Sequence, residues 1–457
     1  MANICRFAPS PTGFLHVGNI RTAIVNYLYA KKTGAKFILR LDDTDTQRVK
    51  EEYRLAIIED MKWLGLEFDE LQFQSQRLDK YEQAKNLLIK SGHLYECFET
   101  PEELDIQRRI QTSSGVPPVY DRGSLKLSSE QKNKLKDQGI KPHYRFLLRD
   151  GITSWEDKIK GQISYQDRHF SDPVLIRDNG VPTYTFCSVV DDIDMNITDI
   201  IRGEDHITNT AIQIQIFEAL QAKIPHFSHL ALVKASSGKI SKREGGFDIA
   251  SLRKEGYEPL TIINFLSQIG TSEAINIYPN IDNLINNFDF KKFSKSSTSY
   301  DINELKNINH KILQIIDFKD LEASLKIHNL TNIDKDFFET IKPNLTLITE
   351  IKSWQEIVKS NFLYSNSKED QSFLKEIINL LPEETSNDNA WQNWLDNIKN
   401  WQLASNNEHS QRKGKSLFMP IRLALTGLEH GPEMKSLIKI IDRQKIIDRL
   451  INQKASN

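Results

Sequence analysis

The sequence predicts a multidomain chain that is α/β in its first part and all-α in its last. Three observations carry that reading. Strand and helix signals alternate over the first hundred residues, short strands and loops replace them from about Leu94 to Val181, and helical periodicity dominates after Gly246. Alternation of this kind marks a parallel sheet covered by helices. At 457 residues the chain exceeds one ordinary core and has room for about three domain-sized units.

The first unit begins with a strand at Ile4 to Ala8, broken by Pro9, Pro11 and Gly13. Asn19 reads as the N-cap of a helix whose Ile20, Ala23, Ile24, Tyr27 and Leu28 share one face. Gly34 closes it, and Lys36 to Leu41 is the next strand, which completes a βαβ unit of the Rossmann-like, nucleotide-binding kind. A second amphipathic helix is expected from about Glu51 to Leu64 and a third from near Leu78. Pro117-Pro118, Pro142 and several glycines punctuate the following stretch, which reads as an α+β insertion splitting the sheet domain. The expected layout is residues 1–93 and 182–246 as two halves of the parallel-sheet domain, 94–181 as the insertion, and 247–318 and 319–457 as helical regions.

Composition narrows the class. Hydrophobic residues are 39% and charged residues 27%, as in globular soluble proteins. The start, Met1 to Arg6, has no basic stretch leading into an apolar one, and no run approaches eighteen apolar residues, so a cytoplasmic protein without a membrane span is expected. Cys5, Cys97 and Cys187 are odd in number and far apart, which fits reduced thiols and neither a disulfide framework nor a zinc knuckle. The net charge of −2 announces no nucleic acid by itself, but residues 406–457 carry 10 Lys and Arg against 5 Asp and Glu.

Two segments carry chemistry. The loop Ala8 to Asn19 joins a strand to a helix start, where backbone N–H groups and the helix dipole favour an anion. Within it His16 can donate to a phosphoryl oxygen, and Gly18 lets the backbone approach closely. The second segment is Lys239-Ile240-Ser241-Lys242-Arg243, two lysines three apart with a hydroxyl between them, suited to a triphosphate and its leaving pyrophosphate. Neither is specific alone. Together, in this order and with a βαβ unit at the first, they resemble the two ATP-binding signatures of class I aminoacyl-tRNA synthetases. Arg6 to Gly13, Leu39 to Asp45, Pro182-Thr183-Tyr184, Val190-Asp191-Asp192, Arg202 to His206 and Pro420 to Gly427 narrow the match to the bacterial glutamyl-tRNA synthetase family. The glutaminyl relatives carry Pro-Pro-Glu-Pro-Asn-Gly at Ala8 to Gly13 and end in β-barrels.

That resemblance implies ATP with Mg²⁺, L-glutamate and a glutamate transfer RNA as reactants, with RNA bound before the amino acid is activated. It implies catalytic roles for His16, Lys239 and Lys242, and ATP contacts from His16, Gly18, Asn19, Asp205, His206, Lys239, Ser241, Lys242 and Arg243. Glutamate would lie among Arg6, Ala8, Ser10, Asp42, Tyr184 and Arg202, with the two guanidinium forks on a carboxylate and Asp42, where many relatives have Glu, on the ammonium. The insertion would bind the RNA acceptor end, residues 247–318 its stem and 319–457 its anticodon, in a monomeric protein. Some family members hold zinc in the insertion; His93, Tyr95, Cys97 and Tyr120-Asp121-Arg122 do not make four ligands here, so no zinc is expected. Discriminating members read the last anticodon base with an arginine that falls near Thr349 to Trp354, where this chain has Lys352. An enzyme that also charges glutamine transfer RNA is therefore an alternative. A small-molecule nucleotidyltransferase would need neither the insertion nor the helical half, an inactive RNA-binding paralogue would not need His16, Lys239 and Lys242, and a shorter relative that glutamylates a modified base would lack an anticodon region.

Overall fold

In the computed structural model, which describes residues 3–45, 47–115, 117–235, 248–360, 364–404, 409, 411–452 and 454–455, β1 (Ile4–Phe7) leads through the proline-broken loop into α1 (Val17–Thr33) and β2 (Lys36–Leu41). Gly34 ends α1 in the left-handed conformation, φ 69°, which glycine adopts without strain. β1 and β2 pair in parallel from Ile4↔Lys36 to Phe7↔Leu39, so the expected βαβ unit is present. Then come α2 (Glu51–Trp63), β3 (Glu70–Phe73), α3 (Leu78–Lys90), β4 (Leu94–Cys97), α4 (Pro101–Ser113) and α5 (Ser129–Asp137). Thr100 and Ser128 start α4 and α5 with reciprocal capping boxes to Glu103 and Gln131.

β5 (His143–Phe146) pairs antiparallel with β4 and with β8 (Val174–Ile176), a small sheet of their own. Between them the hairpin of β6 (Ile152–Asp157) and β7 (Gly161–Gln166) does something the loop-rich sequence does not announce. It joins the main sheet, whose order among the described residues is β3-β2-β1-β9-β10-β6-β7, with β9 (Asp199–Gly203) and β10 (His226–Leu230) supplied by the chain after residue 182. Alternate residues of β6 are buried, namely Thr153, Trp155 and Asp157, as expected of an element with one covered face.

All pairings in that sheet are parallel except β6 with β7. The order reverses between β1 and β9, and in an open sheet of this kind the crevice outside the carboxyl ends of those strands is where a ligand fits. Helix α1 packs on β1, β2 and β9. The other face is covered by α3, α6 (Tyr184–Asp194) and α7 (Ile207–Ala219), where Phe186, Phe217 and Phe227 are fully buried. Each such side chain contributes roughly 1.5–3 kcal/mol over an exposed one. The three cysteines are unpaired and buried.

The chain divides into two compact units, residues Met1–Arg253 with Pro259–Ile302, and Lys254–Glu258 with Asn303–Asn457. The first closes with β11 (Val233–Ala235), α8 (Ile249–Glu255), α9 (Pro259–Gln268), α10 (Ile281–Asn287) and β12 (Thr298–Tyr300), the last pairing with β11. The second is helical: α11 (Ile302–Ile315), α12 (Glu322–Ile327), α13 (Lys335–Ile341), α14 (Ile351–Lys359), α15 (Lys368–Ile377), α16 (Ala390–Ala404), α17 (Lys415–Thr426), α18 (Met434–Ile440) and α19 (Arg443–Ile451), beside one two-residue strand pair. Its core centres on the fully buried Trp394, whose indole N–H donates to the Ile377 carbonyl at 3.1 Å. The buried Arg449 guanidinium donates to the carbonyls of Leu425, Ile357 and Ser360 at 2.6–2.7 Å, satisfying helix-end acceptors of α17 and α14.

Candidate active site

Helix α1 begins at Val17, not after Asn19. His16 is the N-cap, with its Nδ1 accepting from the N–H groups of Gly18 (3.1 Å) and Asn19 (3.4 Å), while Asn19 Oδ1 accepts from the His16 N–H (3.4 Å). Asn19 is thus the third helical residue reaching back, and the cap is a ring nitrogen in place of an asparagine oxygen. Two consequences follow. The N–H groups that the sequence offers to a phosphate are committed to the imidazole, and an accepting Nδ1 puts the ring proton on Nε2. A Cβ at Gly18 would stand 3.0 Å from His16 Cε1, so glycine there is what admits the ring. Surrounding protein lowers the His16 pKa below the ordinary value, with Asp205 pulling the other way.

The crevice between β1 and β9 is a cavity of about 220 Å³. Arg6, Ala8, His16, Gly18 and Asn19 line it from the β1 side, and Tyr184, Arg202, Asp205 and His206 from the other. Arg6 forks onto Asp192 through Nε (3.0 Å) and Nη2 (3.2 Å). Arg202 is 5% exposed, and among the described residues no carboxylate pairs with it. Its Nη2 donates to Thr210 Oγ1 (2.6 Å) and Gln213 Oε1 (2.7 Å), its Nε to His229 Nε2 (3.4 Å) and its Nη1 to the Tyr184 hydroxyl (3.4 Å). Burial lowers its pKa, and the positive field of Arg6 acts in the same direction. His206, packed against the Tyr184 ring at 5.4 Å, is pushed down to about 4 by burial and then by Arg202, so it is neutral at pH 7.

A second cleft of about 240 Å³ holds Ser10 and Asp42, with Tyr184 forming a wall of both. The residues that the sequence groups around one amino acid thus divide: Arg6, Ala8 and Arg202 on one side of Tyr184, Ser10 and Asp42 on the other. Asp42 is 5% exposed and accepts from Arg40 Nε (2.7 Å) and Nη2 (3.3 Å); burial lifts its pKa to about 6 against the opposing pull of Arg40. Lys239, Ser241, Lys242 and Arg243 lie outside the described residues.

Sequence reading assigned no role to the charges that hold this region. Arg40 Nη1 donates to Asp192 Oδ1 (2.7 Å), Arg77 Nε to Asp191 Oδ1 (2.7 Å), and Gln74 and Tyr81 also donate to Asp191. Arg40, Asp191 and Asp192 are each at most 2% exposed. The available signal was an arginine inside the apolar strand Phe37 to Leu41 and a pair of acids inside the apolar helix Phe186 to Ile193.

In the insertion, the antiparallel register Cys97↔His143 brings together Cys97, Glu99 and His143, whose ligand atoms lie within 4.8 Å of one another. His143 was not among the residues weighed from sequence. The Glu99 carboxylate accepts from the Tyr120 hydroxyl (2.7 Å) and Ser124 Oγ (2.8 Å), and burial pushes the Cys97 thiol up to about 11. A structural zinc takes four ligands, usually thiolate or imidazole. Three groups, one of them a carboxylate already bound by two hydroxyls, do not fit it.

The chain belongs to the class I tRNA synthetases (E and Q). The family's catalytic domain matches residues 4–307, and an anticodon binding domain matches residues 312–453. Among its relatives are the glutamate–tRNA ligase 2 of Rickettsia canadensis (strain McKiel), 48% identical over 448 residues that cover 98% of this chain and 99% of that one, and the glutamate–tRNA ligase 2 of Orientia tsutsugamushi (strain Boryong), 47% identical over 99% of both. The crystal structure of a glutamate tRNA ligase from Elizabethkingia meningosepticum, in complex with its amino acid, superposes with a TM-score of 0.83 at 27% identity, over 98% of each chain. The fold is that of the sequence expectation, a parallel-sheet α/β domain followed by a helical anticodon domain. No helix among the described residues is long and apolar enough to cross a membrane.

Replacing Asp192 with Ala leaves Arg6 and Arg40 buried with a lost partner. The expected cost is about 3–5 kcal/mol of unfolding free energy, read from the denaturant midpoint. A change below about 1 kcal/mol would mean that the two guanidinium groups are held by something other than this pair.

Proposed function

We propose that this chain is a glutamate–tRNA ligase, activating L-glutamate with ATP and transferring it to the terminal adenosine of a glutamate transfer RNA. The observation that carries the reading is Arg202: a buried guanidinium whose partners among the described residues are all neutral, facing a cavity beside a second arginine, calls for an anion. A side-chain carboxylate of the substrate supplies one. The names of the relatives favour glutamate over glutamine, and ATP use goes with the family.

In this reading the glutamate α-carboxylate oxygen bonds to the α-phosphorus of ATP as the bond to the β-phosphate oxygen breaks, releasing pyrophosphate. A ribose hydroxyl of the RNA then adds to the acyl carbon, and AMP and the hydroxyl proton leave as the ester forms. No protein nucleophile is needed, so the residues act by position and charge. The Nε2–H of His16 donates to a phosphoryl oxygen, and two N–H groups of the helix start donating to its Nδ1 make that proton a better donor. Arg6 and Arg202 take the substrate side-chain carboxylate, Ser10 and Asp42 the amino end, Tyr184 stands between, and Ala8 leaves space. Gly18, Asn19, Asp205 and His206 border the nucleotide, with Lys239, Ser241, Lys242 and Arg243 on its phosphates; Mg²⁺ supplies charge neutralisation of the triphosphate. Residues 94–181 take the acceptor end, 247–318 the stem and 319–457 the anticodon, in a cytoplasmic monomer.

The test is exchange of labelled pyrophosphate into ATP, expected to require both glutamate and transfer RNA. Exchange with glutamine but not glutamate would overturn the substrate. Lys242→Ala is expected to slow it about 10²–10³-fold, the usual worth of one donor to transition-state charge; an unchanged rate would remove that lysine from the chemistry.

No zinc is part of this reading, for the ligand set described above. Metal analysis of the purified protein should find well under one zinc per chain, and one tightly held zinc would overturn it.

A second reading extends the RNA substrate to glutamine transfer RNA. What favours it is Lys352, exposed in the first turn of α14, where discriminating relatives are expected to place an arginine. A lysine is a point donor without the planar fork that contacts a base edge twice, a difference of about 1–3 kcal/mol. Charging both unmodified transcripts side by side tests this, and an efficiency on the glutamine transcript more than about a thousandfold lower, roughly 4 kcal/mol, would sink it.

A further inference from the structure

Behind Arg202, away from the cavity, a buried chain of hydrogen bonds runs to the hairpin of the insertion. Asp157 ends β6, and the register Phe227↔Asp157 sets it beside β10, which carries His229. Asp157 Oδ2 lies 2.6 Å from His229 Nδ1, while its Oδ1 accepts from the backbone N–H groups of Ile159 (3.0 Å), Lys160 (2.9 Å) and His229 (3.2 Å). His229 and Thr210 are 0% exposed, Asp157 1% and Gln213 2%.

An accepting carboxylate at one end and a donating guanidinium at the other assign the donors and acceptors along this chain. A carboxylate accepts, so His229 Nδ1 carries the ring proton and Nε2 is a bare acceptor. Nε2 faces the Thr210 hydroxyl at 2.9 Å and Arg202 Nε at 3.4 Å. Arg202 can only donate; Thr210 Oγ1 accepts from Arg202 Nη2 at 2.6 Å, and its own hydrogen is shared between Nε2 and the His206 carbonyl at 3.2 Å. Gln213 takes the other Nη2 hydrogen with Oε1 at 2.7 Å and is itself held by donation from Nε2 to Ser188 Oγ at 2.7 Å. The Nε and Nη2 edge of the guanidinium is thereby fixed from behind by neutral acceptors. Nη1 remains, with one long contact to Tyr184 at the cavity wall.

Were the proton on Nε2, that nitrogen would set a donor against the N–H of Arg202 Nε. Burial, followed by the field of Arg202, holds the His229 pKa below its ordinary value, with Asp157 opposing, so the ring stays neutral. Burial alone would raise Asp157, but the hydrogen bonds from His229 and the backbone outweigh it and leave the carboxyl below the ordinary value.

We propose that Asp157 and His229 are positioning residues for the amino-acid pocket: Asp157 fixes the proton of His229 on Nδ1, and the bare Nε2, with Thr210, aims the Arg202 guanidinium so that Nη1 meets the substrate carboxylate. This rests on the reading that Arg202 binds the glutamate side chain.

The experiment is transfer-RNA-dependent pyrophosphate exchange by the full chain and four variants, with KM measured separately for glutamate and ATP and the thermal midpoint recorded for each. Asp157→Asn keeps an oxygen for the backbone N–H groups but turns an amide donor toward Nδ1, which forces the other tautomer. It is expected to lower kcat/KM for glutamate about 10- to 100-fold, mainly through KM, with KM for ATP within about twofold of native. His229→Leu, which removes the acceptor, should do the same. His229→Gln should stay within about threefold of native, because its amide can donate to Asp157 and accept from Arg202. Native glutamate KM in both Asp157→Asn and His229→Leu overturns the proposal, as does a loss in His229→Gln equal to that in His229→Leu. If Asp157→Asn fails to fold, the two His229 variants decide. The fourth variant, Arg202→Ala, separates the readings: a native glutamate KM there refutes the role of Arg202 itself, whereas a raised KM there with native behaviour of the other variants refutes only the positioning role.

Discussion

The alternating ladder of buried charge Arg6–Asp192–Arg40–Asp42 is the constraint on which the α/β unit depends. It joins the last turn of α6 to the carboxyl ends of β1 and β2, and Arg77 with Tyr81 extends it to Asp191 from the start of α3. Buried ions cost several kcal/mol each to desolvate, and only close, multidentate geometry offsets that cost. Here each arginine shares its nitrogens among two or more carboxylate oxygens, so the ladder tolerates little displacement of the strands that carry it. The carboxyl ends of β1 and β2 and the last turn of α6 are thereby held together, and with them the Arg6 wall of the cavity.

Against this balanced ladder, Arg202 stands out by what surrounds it. Other buried arginines donate to backbone carbonyls, Arg449 to those of Leu425 and Ile357 and Arg21 to those of Ala231 (2.7 Å) and Ile269 (3.0 Å). Ile269, Ile357 and Leu425 lie at helix C-terminal ends, where the backbone dipole presents negative charge. Arg202 leans on a hydroxyl, an amide and an imidazole, and its remaining nitrogen is at a cavity. A buried charge whose hydrogen-bond partners among the described residues are all neutral is the usual mark of a group whose partner arrives from outside.

Much of this was legible beforehand where local pattern governs. The periodic Ile20 to Leu28 face, the terminating Gly34 and the apolar run after Lys36 mark the βαβ unit, with the helix starting three residues earlier than read and the other borders within one, because amphipathic period and helix stops are local properties. The cap of α1 was misread since asparagine is the commoner N-cap, and nothing local reveals that a histidine two residues from a glycine can fold back onto the same N–H groups. The hairpin Ile152 to Gln166 alternates in burial but not in apolar character, its buried Thr153 and Asp157 being polar and its Ile152 exposed, and alternation would not say which sheet a strand joins. Pairings such as Asp157 with His229, or Cys97 with His143, span tens of residues and exist only through strand register. The division of the amino-acid residues across Tyr184 is likewise a fact of three dimensions.

The burial of the cysteines bears on oxidative chemistry. Cys5, next to Arg6, has its thiol pushed up to about 12, and Cys187, on the helix that begins with Tyr184, is raised well above the usual thiol range, in both cases chiefly by desolvation. Only the thiolate attacks peroxides, disulfides or alkylating agents. Two sulfurs within a few residues of the cavity lining thus favour the protonated thiol, the form that competes poorly for activated acyl groups.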